Sequence, residues 1–115
     1  MAFSYEEAIA FALTLPHTST QSFYGDMVPK VNKKAFVSPG REPGSFHLFC
    51  GSVDRAEMLK EIEPDTYWQS AHYIGWPGIL VREANADPDH VRHLIEEGWA
   101  LRATAKQRAE RDAAG

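Results

Sequence analysis

With 115 residues, 43% of them apolar, and a single cysteine, Cys50, the chain has the size of one domain with one core and no intramolecular disulfide. Twelve basic against sixteen acidic residues give a net charge of −4, which excludes holding nucleic acid by overall charge; any such role needs a local basic patch. No apolar run approaches the ~20 residues of a membrane span, and Glu6 and Glu7 stand where a signal peptide wants lysine, so a cytoplasmic, reducing location without a membrane partner is expected.

The first predicted element is a helix. Ser4 and Glu7 have the spacing of a capping box, Tyr5, Ala8, Ile9, Ala12 and Leu13 share a face, and Leu15-Pro16 closes it. From Gln21 to Ser38 the period falls to two: Ser22–Tyr24, Met27–Val31 and Lys34–Val37 read as strands, turning at Gly25-Asp26 and at Asn32-Lys33. Asn32 tolerates the left-handed backbone of a tight turn. Pro39–Pro43, within SPGREPG, is a surface loop, and Ser45–Cys50 is a strand with Phe46, Leu48 and Cys50 on one side, His47 and Phe49 on the other.

Asp54 and Glu57 open a second helix with Ala56, Leu59 and Ile62 inward, ended by Pro64-Asp65. Tyr67 and Trp68 lie in a candidate strand that leads to HYIGWPGILVR, His72–Arg82. There Pro77 keeps Trp76 out of the helical region and two glycines allow a sharp turn, so an indole stands at a loop tip before a strand with Ile79 and Val81 on one face, Leu80 and Arg82 on the other. Asp87-Pro88 starts the last helix, with Val91, Leu94, Ile95, Gly98 and Leu101 as its inner stripe. Residues 105–115 are expected to be a frayed or disordered tail. Strands in runs between helices predict an α+β fold, an antiparallel sheet with helices packed on one face and the other face open.

Five segments in this order, ALTLP (Ala12–Pro16), KVNKKAF (Lys30–Phe36), His72-Tyr73, Leu80-Val81-Arg82 and LIEEGWAL (Leu94–Leu101), resemble the MmcQ/YjbR family of small bacterial-type proteins. Trp99, Arg102, Lys106 and Arg108 fit the aromatic and basic ending common in that family, whereas the SPGREPG loop and Trp76 depart from its pattern. The resemblance implies a single-domain CyaY-like (frataxin-like) fold over residues 1–104 with N- and C-terminal helices, and DNA binding by analogy to a winged arrangement of hairpins. Fold alone does not fix function.

Lys30, Lys33, Lys34 and Arg41 cluster around the predicted hairpin and would grip phosphates; the same lysines would serve equally to guard an edge strand against aggregation. Trp76, Trp68, His72, Tyr73 and Arg82 offer an aromatic and cationic platform for a base or flat ligand, or else plug the end of the sheet. His90, His93 and Glu97 share a helix face but lack a fourth ligand, Glu57, Glu61 and Glu63 are interspersed with Arg55 and Lys60, and Cys50 has no local partner, so no metal, cofactor or catalytic residue is expected. The expectation is a non-enzymatic binding domain, a monomer or weak dimer, with DNA as partner through Lys30, Lys33, Lys34, Arg41 and Arg82. The alternative is a protein-interaction or small-ligand module built on the Trp76 loop.

Overall fold

The computed structural model describes residues 2–114. Helix α1 (Tyr5–Ala12) has the reciprocal cap its sequence predicts: Glu7 N–H donates to Ser4 Oγ at 3.1 Å and Ser4 N–H donates to Glu7 Oε1 at 3.2 Å. Strands β1 (Thr18–Phe23) and β2 (Asp26–Val31) form a hairpin whose two turn residues, Tyr24 and Gly25, have φ of 47° and 89°. Positive φ at both positions matches the turn to the twist of its strands. The strand begins earlier than the expected Ser22, because Thr18–Gln21 pair with Val28–Val31.

A second turn of the same kind, Asn32-Lys33 with φ of 52° and 67°, leads into β3 (Lys34–Ala35). Here the structure departs from the single sheet expected. At Phe36 the chain leaves β2: the Phe36 side chain is buried, and its carbonyl accepts from Phe49 N–H at 3.1 Å. Strand β4 (Val37–Pro39) then pairs with β5 (Ser45–Phe49), giving a three-stranded sheet β1-β2-β3 and a four-stranded sheet β4-β5-β7-β6, both antiparallel. Strand β6 is Tyr67–Trp68 and β7 is Gly78–Arg82.

Helices α1, α2 (Val53–Ile62) and α3 (Pro88–Arg102) cover one face of the four-stranded sheet. Strand alternation sends Val37, Phe46, Leu48, Tyr67, Ile79 and Val81 to that face, where they meet Ala8, Ala12, Ala56, Leu59, Val91 and Ile95 in one core. The α+β architecture with antiparallel sheets and helices on one face is therefore as expected. The cap of α2 is Ser52, which accepts from Arg55 N–H at 3.0 Å, with Asp54 in the first turn. No helix among the described residues is long and apolar enough to cross a membrane.

Two further expectations are corrected. The face carrying Leu80 is not open around it: Leu80 is fully buried, since Gly40 lies against its Cδ2 and Tyr73 stacks on the neighbouring His47 at 4.8 Å. Nor are residues 105–114 an irregular tail. They form helix α4 (Ala105–Ala114), with Thr104 and Gln107 exchanging N–H bonds at 2.9 and 3.1 Å as a second capping box. Arg108 Nη1 donates to the carbonyls of Ala100 and Ala103, Arg111 pairs with Glu96 at 3.2 Å and Glu110 with His17 at 2.7 Å. Gly115 lies outside the described residues.

Candidate functional site

Strand pairing decides which basic residues meet. Phe49 stands opposite Gly78 and Ser45 opposite Arg82, so the two ends of β7 carry different neighbours. Four residue steps separate those ends, or about 13 Å at ~3.3 Å per residue. At the Gly78 end the β2–β3 hairpin brings Lys30, Lys33 and Lys34 beside Phe49, Trp76 and Arg102 around a groove of about 280 Å³. Phe23, Ala35, Phe36, Ser38, His47 and Pro77 complete its lining.

The groove is cationic by composition and by pairing. Its lining holds three lysines, one arginine and no carboxylate, and among the described residues none of the four cations forms an ion pair. Lys30 Nζ sits 5.3 Å from the centre of the Phe23 ring, and the Arg102 guanidinium carbon 3.6 Å from that of Phe49. Both contacts are cation–π arrangements that hold a charge near an apolar wall.

Lys33 adopts a positive φ that lysine takes only at a cost, which a second element offsets. Asn32 Nδ2 donates to the Arg102 carbonyl at 2.9 Å and to Gln107 Oε1 at 2.8 Å, while Gln107 Nε2 returns a bond to Asn32 Oδ1 at 3.1 Å. The hairpin turn is thus bolted to the end of α3 and to α4. Lys33 in the turn and Lys34 after it stand on a turn that is held rather than loose.

Trp76 is 51% exposed at the loop tip, with the His72 and Tyr73 rings each 5.7 Å from it. Of these neighbours His72 is exposed and Tyr73 is buried on His47. Gly78 is needed directly beneath: a Cβ there would collide with the His47 ring, and His47 Nε2 is buried with no hydrogen-bond partner. Burial lowers the His47 pKa from 6.5 to about 4, so the imidazole is neutral at pH 7.

The other residues singled out from the sequence lie elsewhere. Arg82 stacks on Trp68 at 4.6 Å and donates to the Pro64 carbonyl at 3.3 Å, at the far end of β7, and Trp68 Nε1 donates to Ser45 Oγ. Arg41 belongs to the loop that joins β4 to β5 at that same far end, since Pro39 pairs with Phe46. The five basic residues therefore divide, Lys30, Lys33 and Lys34 with Trp76, and Arg41 and Arg82 with Trp68. His90 Nδ1 is 2.7 Å from the Tyr67 hydroxyl and His93 pairs with Glu97 at 2.9 Å, so both rings are engaged. Burial raises the Cys50 pKa, and its Sγ rests 3.6 Å from the Ser52 carbonyl.

Sequence reasoning missed Phe23, Phe49, His47 and Arg102 as groove residues. Arg102 alone carried a signal, through its place in the aromatic and basic ending; the others are joined to the lysines only by strand pairing.

The fold and groove define a small α+β domain with a cationic, aromatic-lined cleft. A model of the YjbR family matches residues 13–101, and the chain belongs to that family. Uncharacterized proteins of Mycobacterium bovis and of two strains of Mycobacterium tuberculosis are each 30% identical to it over 77 residues, 64% of this chain and 60% of theirs. The chain thus aligns with about 60% of the length of these curated relatives. No solved structure matches the chain significantly. Helix α4, which braces the lysine turn, lies beyond the segment the family model matches.

Proposed function

We propose that this domain is a non-enzymatic nucleic-acid-binding module whose contact surface is the groove between the β2–β3 hairpin and the Trp76 loop. The observation that carries the reading is the convergence of Lys30, Lys33, Lys34 and Arg102 with a half-exposed indole, in a lining free of carboxylates. Phosphates meet fixed cations there, and bases find π-faces, which is the pairing that single- and double-stranded nucleic-acid binders combine. The net charge of −4 makes the local patch matter more, because the chain as a whole does not attract a polyanion. Arg41 and Arg82, grouped with the lysines from the sequence alone, fall outside this surface.

The test is a fluorescence anisotropy titration of labelled DNA and RNA with the wild-type chain and with the Lys33→Glu/Lys34→Glu double variant. Affinity should fall at least tenfold in the variant, because two attractive contacts become repulsive. Equal binding by the two proteins would remove the reading. A second reading, a protein or small-ligand module on the Trp76 loop, is favoured by Ile74, which is 63% exposed beside Trp76. It predicts binding that is insensitive to salt and lost on Trp76→Ala.

A further inference from the structure

Arg102 is the cation of this groove that carries a buried, unpartnered donor. Its Nε is shielded from solvent without a partner, and among the described residues no carboxylate lies within ion-pair distance. A charged donor left bare in a partly buried place is costly, so folds rarely keep one without an acceptor. This one is also held in place: its carbonyl accepts from Asn32, and its guanidinium carbon lies over the Phe49 ring, 3.6 Å from its centre. A planar fork that is oriented in advance and has no internal acceptor suits a tetrahedral oxyanion, which it grips through two parallel N–H bonds.

The dimensions narrow the ligand further. At about 280 Å³ the groove is below the ~300–1,000 Å³ of sites that enclose drug-sized molecules, so a strand would lie along it with its base at the mouth rather than be enclosed. Trp76 is exposed at its mouth and buttressed by His72 and Tyr73, so it offers a fixed π-face. A base inside a duplex has both faces stacked on its neighbours, whereas an unpaired base can turn one toward an indole.

Resting on the nucleic-acid reading above, we propose that the groove is selective for single strands, with one phosphate on Arg102 and the adjoining base against Trp76. The hairpin lysines then steer and hold the backbone, and Arg102 and Trp76 together distinguish a strand from a duplex.

The experiment titrates the full chain with three labelled probes: a short single strand, its duplex, and the same strand made abasic. Wild type, Trp76→Leu and Arg102→Lys are compared, each first checked for a native melt by circular dichroism. The single strand should bind about tenfold tighter than the duplex, and Trp76→Leu should lose about tenfold, as expected when one stacked base is given up. The abasic strand should lose the same factor on wild type and nothing further on Trp76→Leu. Arg102→Lys should weaken binding about tenfold without changing its salt dependence, since the charge is kept and only the planar fork is lost. Duplex binding as tight as the strand, or full binding of the abasic strand by the wild-type chain, overturns single-strand selectivity while leaving the broader reading intact. Absence of binding to all three probes at low salt overturns both.

Discussion

Acidification should destabilise this protein through His47, and the amount follows from where the ring sits. The imidazole lies on β5 under the Tyr73 ring, with Nε2 buried against Gly78 and unpartnered. Burial favours its neutral form and lowers its pKa from 6.5 to about 4. In the unfolded chain the ring takes a proton near pH 6.5; in the folded chain it resists until about pH 4. Between those values the unfolded state binds more protons, so stability is complete above about pH 6.5, declines as pH falls, and has lost its full increment below about pH 4. The gap between 6.5 and about 4 amounts to about 3 kcal/mol at ~1.4 kcal/mol per pH unit. Carboxylates titrate in the lower part of that window, so the informative quantity is a difference between two proteins. Urea denaturation of wild type and His47→Gln from about pH 7 to about pH 4 supplies it. The variant cannot titrate at this position, and its stability should fall by about 3 kcal/mol less than that of wild type over the range. Parallel curves for the two proteins would refute the account of His47 as a buried neutral ring.

Other outcomes follow from named contacts. Gly98→Ala should lower the melting temperature, although alanine normally improves a helix interior by ~1 kcal/mol, because the added Cβ would lie 2.8 Å from the Phe49 carbonyl oxygen; a higher melting temperature would contradict that crowding. Gln107→Ala removes both the pair with Asn32 and the side-chain acceptor of Thr104 N–H, and should cost about 1 kcal/mol and speed hydrogen exchange at the Asn32-Lys33 turn. Unchanged exchange there would mean that α4 does not brace the hairpin. Arg41→Glu should leave nucleic-acid affinity within about twofold of wild type, since its loop lies at the opposite end of the sheet from the groove. A loss as large as that of the lysine variant would reunite the two basic groups.

Features encoded by neighbouring residues were legible in the sequence. Ser4 and Glu7 announced the start of α1, Asn32 the left-handed turn, and Asp87-Pro88 the start of α3, because a cap or turn needs only a few adjacent residues. The break at Phe36 was not legible, since Lys34–Val37 reads as one strand-like run and only the choice of partner, β2 before it and β5 after it, differs. Thr18–Gln21 escaped because a strand of threonine and serine shows no apolar alternation. Helix α4 did carry a signal, the Thr104–Gln107 spacing of a capping box, but it lacks an apolar stripe and is held by polar contacts to Asn32, Glu96 and His17.

The candidate site followed the same division. The lysines and Trp76 could be picked out singly, from a local charge cluster and from Gly75-Trp76-Pro77-Gly78. That they share a groove, and that Arg82 on the same strand as Gly78 does not, depends on strand direction and register, which residue patterns alone leave open.

The most direct test of the groove as a nucleic-acid contact is the slope of log affinity against log salt for a single strand. Four unpaired cations, Lys30, Lys33, Lys34 and Arg102, line it. If each displaces one counterion, the slope is about −2.8, and raising salt from ~50 to ~200 mM weakens binding about 50-fold. The Lys33→Glu/Lys34→Glu variant should retain a slope no steeper than about −1.4. A measured slope near zero, or one that the double variant leaves unchanged, would contradict the assignment of the groove as the phosphate-contacting surface.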